Sequence, residues 1–208
     1  MEHTNAPATG PAPRPGRPRS FDRDAALDQA MLLFWRHGYE STSLSELTAA
    51  MGISPPSLYG AFGDKKALFF EALDRYLSGP VTSATIIADA ATAREAAHDL
   101  LRLSARAFTG KHTPPGCLLA SSAISCSEAA TDVKEQLATI RRGIEQRLRK
   151  TIAHDIDHGV LPDYADATAL AALTMAVIQG MSTLARDGAS RDKLLKIVET
   201  TMQAWPAP

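Results

Sequence analysis

A chain of 208 residues, 45% hydrophobic and 22% charged, is long enough to bury the cores of one small and one medium domain. The formal net charge of −1 excludes a generally basic nucleic-acid coat, so any nucleic-acid contact must come from locally concentrated charge. No run of 18 or more apolar residues and no signal-peptide core are present, and the two cysteines, Cys117 and Cys126, fall in no CxxC pattern; a cytoplasmic protein without a structural disulfide, zinc site or other cofactor is expected.

Residues 1–20 are rich in Pro and Gly and carry Arg14, Arg17 and Arg19, with almost no large apolar side chain before Phe21. Such a segment cannot pack and is expected to be a mobile basic arm, of the kind that reaches a minor groove or phosphates. Arg17 and Arg19, nearest the folded part, are assigned to DNA contact; for Arg14 an incidental arginine in an untidy terminus is an equal alternative. The first helix is predicted from Arg23, behind Asp22, to Gly38, with Leu27, Ala30, Met31 and Phe34 as its buried stripe.

The stretch Thr42 to Lys65 reads TSLSELTAAMGISPPSLYGAFGDK and is the densest in local signals. Ser43 and Glu46 have the S-x-x-E spacing of a capping box, which starts a helix at Leu44. Leu44, Leu47 and Met51 give one apolar stripe, and Gly52 can take the positive φ that ends the helix. Ser54 is an N-cap, and Pro55 and Pro56 occupy the first turn, where missing amide hydrogens cost nothing. Leu58 and Phe62, at i and i+4, anchor this second helix and leave Ser57, Tyr59, Gly60 and Ala61 on its other sides. Gly63 breaks the chain, Asp64 caps a third helix, and Lys65 and Lys66 put positive charge where free amides already favour a phosphate oxygen. Two short helices at a tight turn also describe an ordinary helical corner. Their conjunction with a phosphate-binding helix start favours a helix-turn-helix whose second helix lies in the major groove. Thr42, Ser43, Ser54, Pro55, Pro56, Ser57, Tyr59 and Lys65, with Arg17 and Arg19, are the expected DNA-binding residues.

The run FDRDAALDQAMLLFWRHGYESTSLSELTAAMGISPPSLYGAFGDKKALFFEAL resembles the N-terminal DNA-binding domain of the TetR/AcrR transcriptional regulators. The family's G-I/V-S-x-x-x-L-Y-x-x-F-x-x-K pattern is met in full by Gly52, Ile53, Ser54, Leu58, Tyr59, Phe62 and Lys65, and the likeness spans roughly residues 17 to 78. It implies an all-α fold: an N-terminal three-helix helix-turn-helix DNA-binding domain over residues 21–79, then a helical ligand-binding and dimerisation domain over residues 80–208. It further implies a ligand-responsive regulator, by family default a repressor, that binds a palindromic operator as a homodimer and is released by a small molecule. Gly60 and Ala61 stand where many members carry bulkier residues, and Thr48 where a small Ala is common. The recognition helix holds no Arg, Lys, Asn or Gln, so bidentate base readout is absent and modest base-level discrimination is expected.

Beyond this head, the helix opened by Asp64 is predicted to run through Phe69, Ala72, Leu73 and Tyr76 to about Ser78. Residues 81–92 have weak periodicity and are expected to be partly loop. A helix from Ala93 to Thr109 carries Leu100, Leu103, Ala107 and Phe108, the run KHTPPG forces a loop, and a short helix starts near Cys117. From Glu128 to about His158 an amphipathic helix shows Val133, Leu137, Ile140, Ile144, Leu148 and Ile152, with Arg141, Arg142, Glu145 and Arg149 read as a solvated face. The segment from Ala165 to Arg186 is apolar on nearly every side and calls for cover all round, more than one monomer supplies. Leu194, Ile197, Val198, Thr201 and Trp205 mark the last helix. In the family the last two helices pair with a second subunit's as a four-helix bundle; two core helices of a monomer are the alternative.

A family pocket between head and bundle would be lined by Leu103, Phe108, Cys117, Leu118, Ile124, Met175, Ile178 and Gln179, although such apolar residues are as readily plain core. Gln179 stands out as a polar group in an apolar helix that needs a partner. Cys117, at a helix start after Gly116, admits a redox or electrophile sensor beside the reading as an inert buried thiol. His154, Asp155, Asp157 and His158 admit a metal site beside the simpler reading of histidines favoured by a helix C-terminus. An enzyme built on Ser121, Ser122 and His98 has no nucleophile-elbow signature to support it. A helical dimeric interaction module without DNA binding is the stronger rival, because the recognition helix is so plain.

Overall fold

The computed structural model describes residues 21–79, 81–122 and 130–206, and these form ten α-helices with no strand among the described residues. Helices α1 (Arg23–His37), α2 (Leu44–Met51), α3 (Pro55–Phe62) and α4 (Lys65–Leu77) make the head. Five further helices, α5 (Ser83–Asp89), α6 (Ala93–Phe108), α7 (Leu118–Ser121), α8 (Thr131–Asp157) and α9 (Ala167–Arg186), lead to the last, α10 (Arg191–Gln203).

The head's boundaries are set locally. Asp22 caps α1 by accepting from the amides of Asp24 and Ala25 at 3.0 and 3.1 Å, and Gly38 ends it at φ 82°. Phe34 of α1 packs edge-on against Phe69 of α4, ring centroids 5.1 Å apart, and both are fully buried; each such burial contributes about 1.5–3 kcal/mol. Arg75 of α4 clamps Asp28 of α1 through two nitrogens, at 2.6 and 2.9 Å, while Arg23 reaches Glu71 at 2.7 Å and lies over the Phe62 ring. Helices α1 and α4 are thereby locked into one frame on which α2 and α3 sit.

The apolar core of the head does not stop at the head. Leu118 and Leu119 of α7, Val133 and Leu137 of α8, and Met175 of α9 belong to the same buried cluster as Phe34, Trp35 and Phe69. A second cluster fills the body between α5, α6, α8, α9 and α10, with Leu101, Leu148, Ile152, Met181 and Leu194 at its centre. Asp155 of α8 is buried beside it, and its carboxylate accepts from the Ala93 amide at 2.6 Å, satisfying one orphan donor at the start of α6.

Two expectations change. Residues 83–89, expected to be partly loop, form α5, started by a capping box between Thr82 and Thr85. Leu44, the first residue of α2, is exposed and does not join the buried stripe of Leu47 and Met51. The head's buried cluster takes in residues of α7, α8 and α9 as well, while the second cluster lies wholly within the body.

Candidate nucleic-acid interface and internal cavity

The outward surface of the head is built from capped helix starts. Ser43 accepts from the Glu46 amide at 3.1 Å while the Glu46 carboxylate accepts from the Ser43 amide and from the Ser43 hydroxyl, each at 2.7 Å; these last two bonds hold the Glu46 carboxyl below its ordinary pKa. Gly52 takes the left-handed conformation at φ 65°, and the chain re-enters a helix at Ser54, whose hydroxyl accepts weakly from the Ser57 amide at 3.4 Å and meets the Ser57 hydroxyl at 2.9 Å. Leu58 and Phe62 anchor α3 inward, and Ser54, Pro55, Pro56, Tyr59 and Gly60 face out, Tyr59 being 51% exposed. Nothing lies within 4 Å of where a Cβ on Gly60 would be. Ser43, Ser54, Pro55, Pro56 and Tyr59 are exposed and Ser57 is half-buried, all of them in α2 and α3 or at their caps. Arg17 and Arg19, like Arg14, lie outside the described residues.

Two expected contacts need revision. Thr42 is fully buried and its hydroxyl donates to the Gly38 carbonyl at 2.7 Å, so its side chain closes the turn after α1 and cannot meet a phosphate. Lys66 is tied to Asp132 of α8 at 2.6 Å, which leaves Lys65 as the cation at the start of α4. Lys65 lies over the Tyr39 ring, 4.6 Å from its centroid, with Nζ donating to the Glu40 carbonyl at 3.3 Å. Partial burial there pulls its pKa down, against the pull of Glu40 and Glu46.

Behind the head lies a cavity of about 860 Å³. Leu103, Phe108, Cys117, Met175, Ile178 and Gln179 line it, so six of the eight expected residues meet on one void. Leu118 does not: it is fully buried in the head's core, and Leu119 and Ala120 face the void instead, because α7 is a single turn and presents the next residues. Ile124 lies outside the described residues, as does Cys126. Gln179 is exposed, so water can satisfy its amide and no buried partner is required. Arg141, expected on a solvated face, is half-buried in the cavity wall and donates to the Leu119 carbonyl at 2.9 Å.

Sequence reasoning missed the part of the wall that comes from the head. Trp35 of α1 and Tyr76 and Leu77 of α4 all face the cavity, and the Trp35 and Tyr76 rings meet edge-on at 4.8 Å. Both aromatics read as ordinary core in a helical stripe, and only the fold shows that the stripe faces a void. The end of α1 is bolted to the body around this point. Trp35 donates from its indole nitrogen to the Gly116 carbonyl at 2.9 Å, and Arg186 at the end of α9 donates to the Trp35 and Arg36 carbonyls at 3.2 and 2.7 Å. Those two carbonyls are among the orphan acceptors of the α1 C-terminus, so Arg186 acts as a cap from another element.

Cys117 touches this joint. Its amide donates to the Ser182 hydroxyl at 2.9 Å, and its sulfur accepts from the Tyr76 hydroxyl at 3.5 Å. Burial pushes the Tyr76 phenol well above its ordinary pKa, so it stays protonated and able to donate. The thiol therefore meets a phenol, and its side chain makes no capping bond to the amides of α7. His154 and His158 stack at 4.0 Å, with His158 Nδ1 at 2.8 Å from the His154 carbonyl, and Asp155, 3.5 Å from His154 Nδ1, accepts from the Ala93 amide; no cluster of three side chains placed to hold a metal occurs among the described residues. The Ser121 hydroxyl is occupied by the Trp35 and Leu118 carbonyls, which removes it as a nucleophile.

Comparison with known proteins matches residues 26–72 to the family of bacterial regulatory proteins described as tetR family, and residues 84–203 to the tetracyclin repressor-like C-terminal domain. The chain is 39% identical to the HTH-type transcriptional repressor ComR of Escherichia coli K12, over 92% of each chain, and 30% identical to the repressor BdcR of the same organism, over 86% of this chain and 87% of that one. Among solved structures it is similar to the TetR family transcriptional regulator CifR, in a cysteine-substituted form complexed with a 26-base-pair operator duplex. The identity is 40%, the TM-score 0.86, and the match covers 92% of this chain and 100% of that one.

Proposed function

This chain belongs to the TetR family of transcriptional regulators, which act by binding DNA and are not enzymes, and from that premise we propose that it is a ligand-responsive repressor working as a homodimer on a palindromic operator. The proteins it resembles support this: ComR and BdcR are repressors, and CifR has been captured on operator DNA. The observation that carries the ligand response is the wall of the cavity, where Trp35 and Tyr76 of the head stand beside Met175 and Ile178 of the body. A molecule filling that space bears on both, and it shifts DNA affinity to the extent that it binds one arrangement of head against body better than the other.

On the DNA side, Ser43, Ser54, Pro55, Pro56, Ser57 and Tyr59 meet the groove and Lys65 a phosphate, with Arg17 and Arg19 of the arm adding charge. The dimer face is the side of α9 that one chain leaves open. Ala169, Ala172, Leu173, Ala176 and Gly180 recur at i, i+3, i+4, i+7 and i+11 and are all exposed, on a helix whose mean hydropathy reaches 1.5. A second copy related by two-fold symmetry covers that stripe and supplies the second recognition helix, about one helical turn of DNA away. The protein acts in the cytoplasm, where its operator is.

The test is an electrophoretic mobility shift with the duplex upstream of the chain's own coding region, on protein shown to be a folded dimer by sedimentation. A salt-sensitive shift of one defined fragment is expected. A folded dimer that shifts no duplex at low salt would leave only the interaction-module reading. A second reading, in which Cys117 is itself the sensing group, is favoured by its place in the cavity wall beside the Tyr76 hydroxyl. Release by an electrophile that persists unchanged in Cys117→Ser ends it.

A further inference from the structure

Two lysines open α4, and the fold uses them differently. Lys65 rests over the Tyr39 ring, 4.6 Å from its centroid, whereas the Lys66 ammonium is held by the Asp132 carboxylate at 2.6 Å. Asp132 belongs to the body. It lies in the first turn of α8, and its other oxygen accepts from the Val133 amide at 2.9 Å, which fixes the carboxylate at that helix start. The Tyr39 phenol is pushed above its ordinary pKa first by burial and next by the charge of Asp132, with Lys66 pulling it back, so the ring that carries Lys65 is within Coulomb range of the ion pair. Asp64 is the other acid that acts on Lys66, and one of its oxygens is taken by the Ala67 amide. Lys66 and Asp132 are both about half exposed, and an exposed pair is worth little in water, so the lysine can exchange partners. A phosphate oxygen at the start of α4 offers it a second anion, next to helix amides that already favour one. While Lys66 stays on Asp132 the pair is neutral and displaces no counterion from a duplex.

We propose that Asp132 restrains DNA binding by competing with the duplex for Lys66, a second phosphate-binding cation that the body holds back from the head. This rests on the reading of the α4 start as a phosphate contact. Asp132 shares its helix with Ile140 and Ile144, which line the cavity, so the competitor is seated on a cavity wall.

The full-length parent, Asp132→Asn, Lys66→Gln and the double variant, each shown to be a folded dimer by sedimentation, are titrated against the upstream duplex and an unrelated duplex of equal length, from about 0.05 to 0.2 M salt. Asp132→Asn is expected to bind both duplexes at least about threefold more tightly at the lowest salt and to steepen the slope of log affinity against log salt by at least about one, since each added phosphate contact releases about one counterion. On the Lys66→Gln background the same substitution is expected to give less than half of either change, because the cation that it frees is gone. No gain, a gain confined to one duplex, or a gain of half or more without Lys66 overturns the restraint; the last outcome means that the acid acts by repulsion alone. Lys65→Ala is read alongside. If it binds as the parent does at every salt, the start of α4 does not meet the backbone and the underlying reading falls, whereas a loss in Lys65→Ala with no gain in Asp132→Asn overturns this inference alone.

Discussion

Lys66, in the first turn of the head's last helix, and Asp132, in the first turn of the longest body helix, meet at 2.6 Å across the joint between the two parts of the molecule. Both side chains are about half exposed, so the pair sits in water's reach and is screened by salt. The Lys66 hydrogen bond holds the Asp132 carboxyl below its ordinary value, and the same bond raises Lys66 above its own. A depressed carboxylate stabilises the fold above the ordinary carboxylate pKa of about 4 and ceases to do so as pH falls through its lowered value. A raised lysine contributes at all pH below its ordinary value of about 10.4 and stops as pH rises through the folded one. Asp132→Asn is therefore expected to lower the urea midpoint slightly at neutral pH and low salt. The difference should vanish in about 1 M salt and again in acid; a loss that persists in acid means that the asparagine disturbs packing.

Thr42 is the residue on which local sequence and tertiary placement disagree most directly. Thr42→Val keeps the shape and removes the hydroxyl that closes onto the Gly38 carbonyl. Urea unfolding is expected to show a loss of about 1–2 kcal/mol, since a buried acceptor is left unpaired. Operator affinity, measured where both proteins are fully folded, should stay within about twofold of the parent. A large loss of affinity with unchanged stability would restore Thr42 to the DNA surface.

Lys65 is expected to leave its seat over Tyr39 for a phosphate oxygen. Lys65→Ala should weaken binding to operator and unrelated duplex alike and reduce the slope of log affinity against log salt by about one, because a phosphate contact carries no sequence information. Titrations at four salt concentrations on both duplexes measure it, and a loss confined to the operator contradicts the assignment.

Gly116 has φ 81°, and a Cβ there would lie 2.8 Å from the Ser182 carbonyl oxygen. Its own carbonyl receives the Trp35 indole, so it cannot shift without loosening the end of α1. Gly116→Ala combines positive-φ strain with a backbone clash, and a loss of about 1–3 kcal/mol is expected by urea unfolding, accompanied by increased solvent exposure of Trp35 in its emission. Unchanged stability would show that the loop after α6 is far softer than its bonds imply.

What the sequence made legible is what neighbouring residues settle between themselves. The caps at Asp22, Ser43, Ser54 and Asp64 act over two or three residues and stand where expected. Helix α5 escaped because its capping partner is Thr85 in place of an acid and because Ile87 is its one buried residue, too little for a periodic stripe. Arg141 was misread because its acceptor, the Leu119 carbonyl, comes from another helix and leaves no mark on the local pattern. Trp35 and Tyr76 were visible as apolar positions, yet whether such a position faces a packed neighbour or a void is decided by elements some forty residues or more away, among them Cys117, Met175 and Ile178. Six of the cavity residues could still be anticipated, because the resemblance says which helices enclose it even where the sequence does not say how.

Gly60 leaves a blank on the outward side of α3, with nothing within 4 Å of a Cβ built there. A side chain at that position displaces no neighbour, and replacing glycine inside a helix gains up to about 1 kcal/mol. If α3 is the recognition helix proposed above, a side chain at this position adds to its outward surface without disturbing the fold. Under that proposal, a change of target sequence can arise at Gly60 alone, while the caps at Ser43 and Ser54 and the buried Leu58 and Phe62 behind it stay as they are.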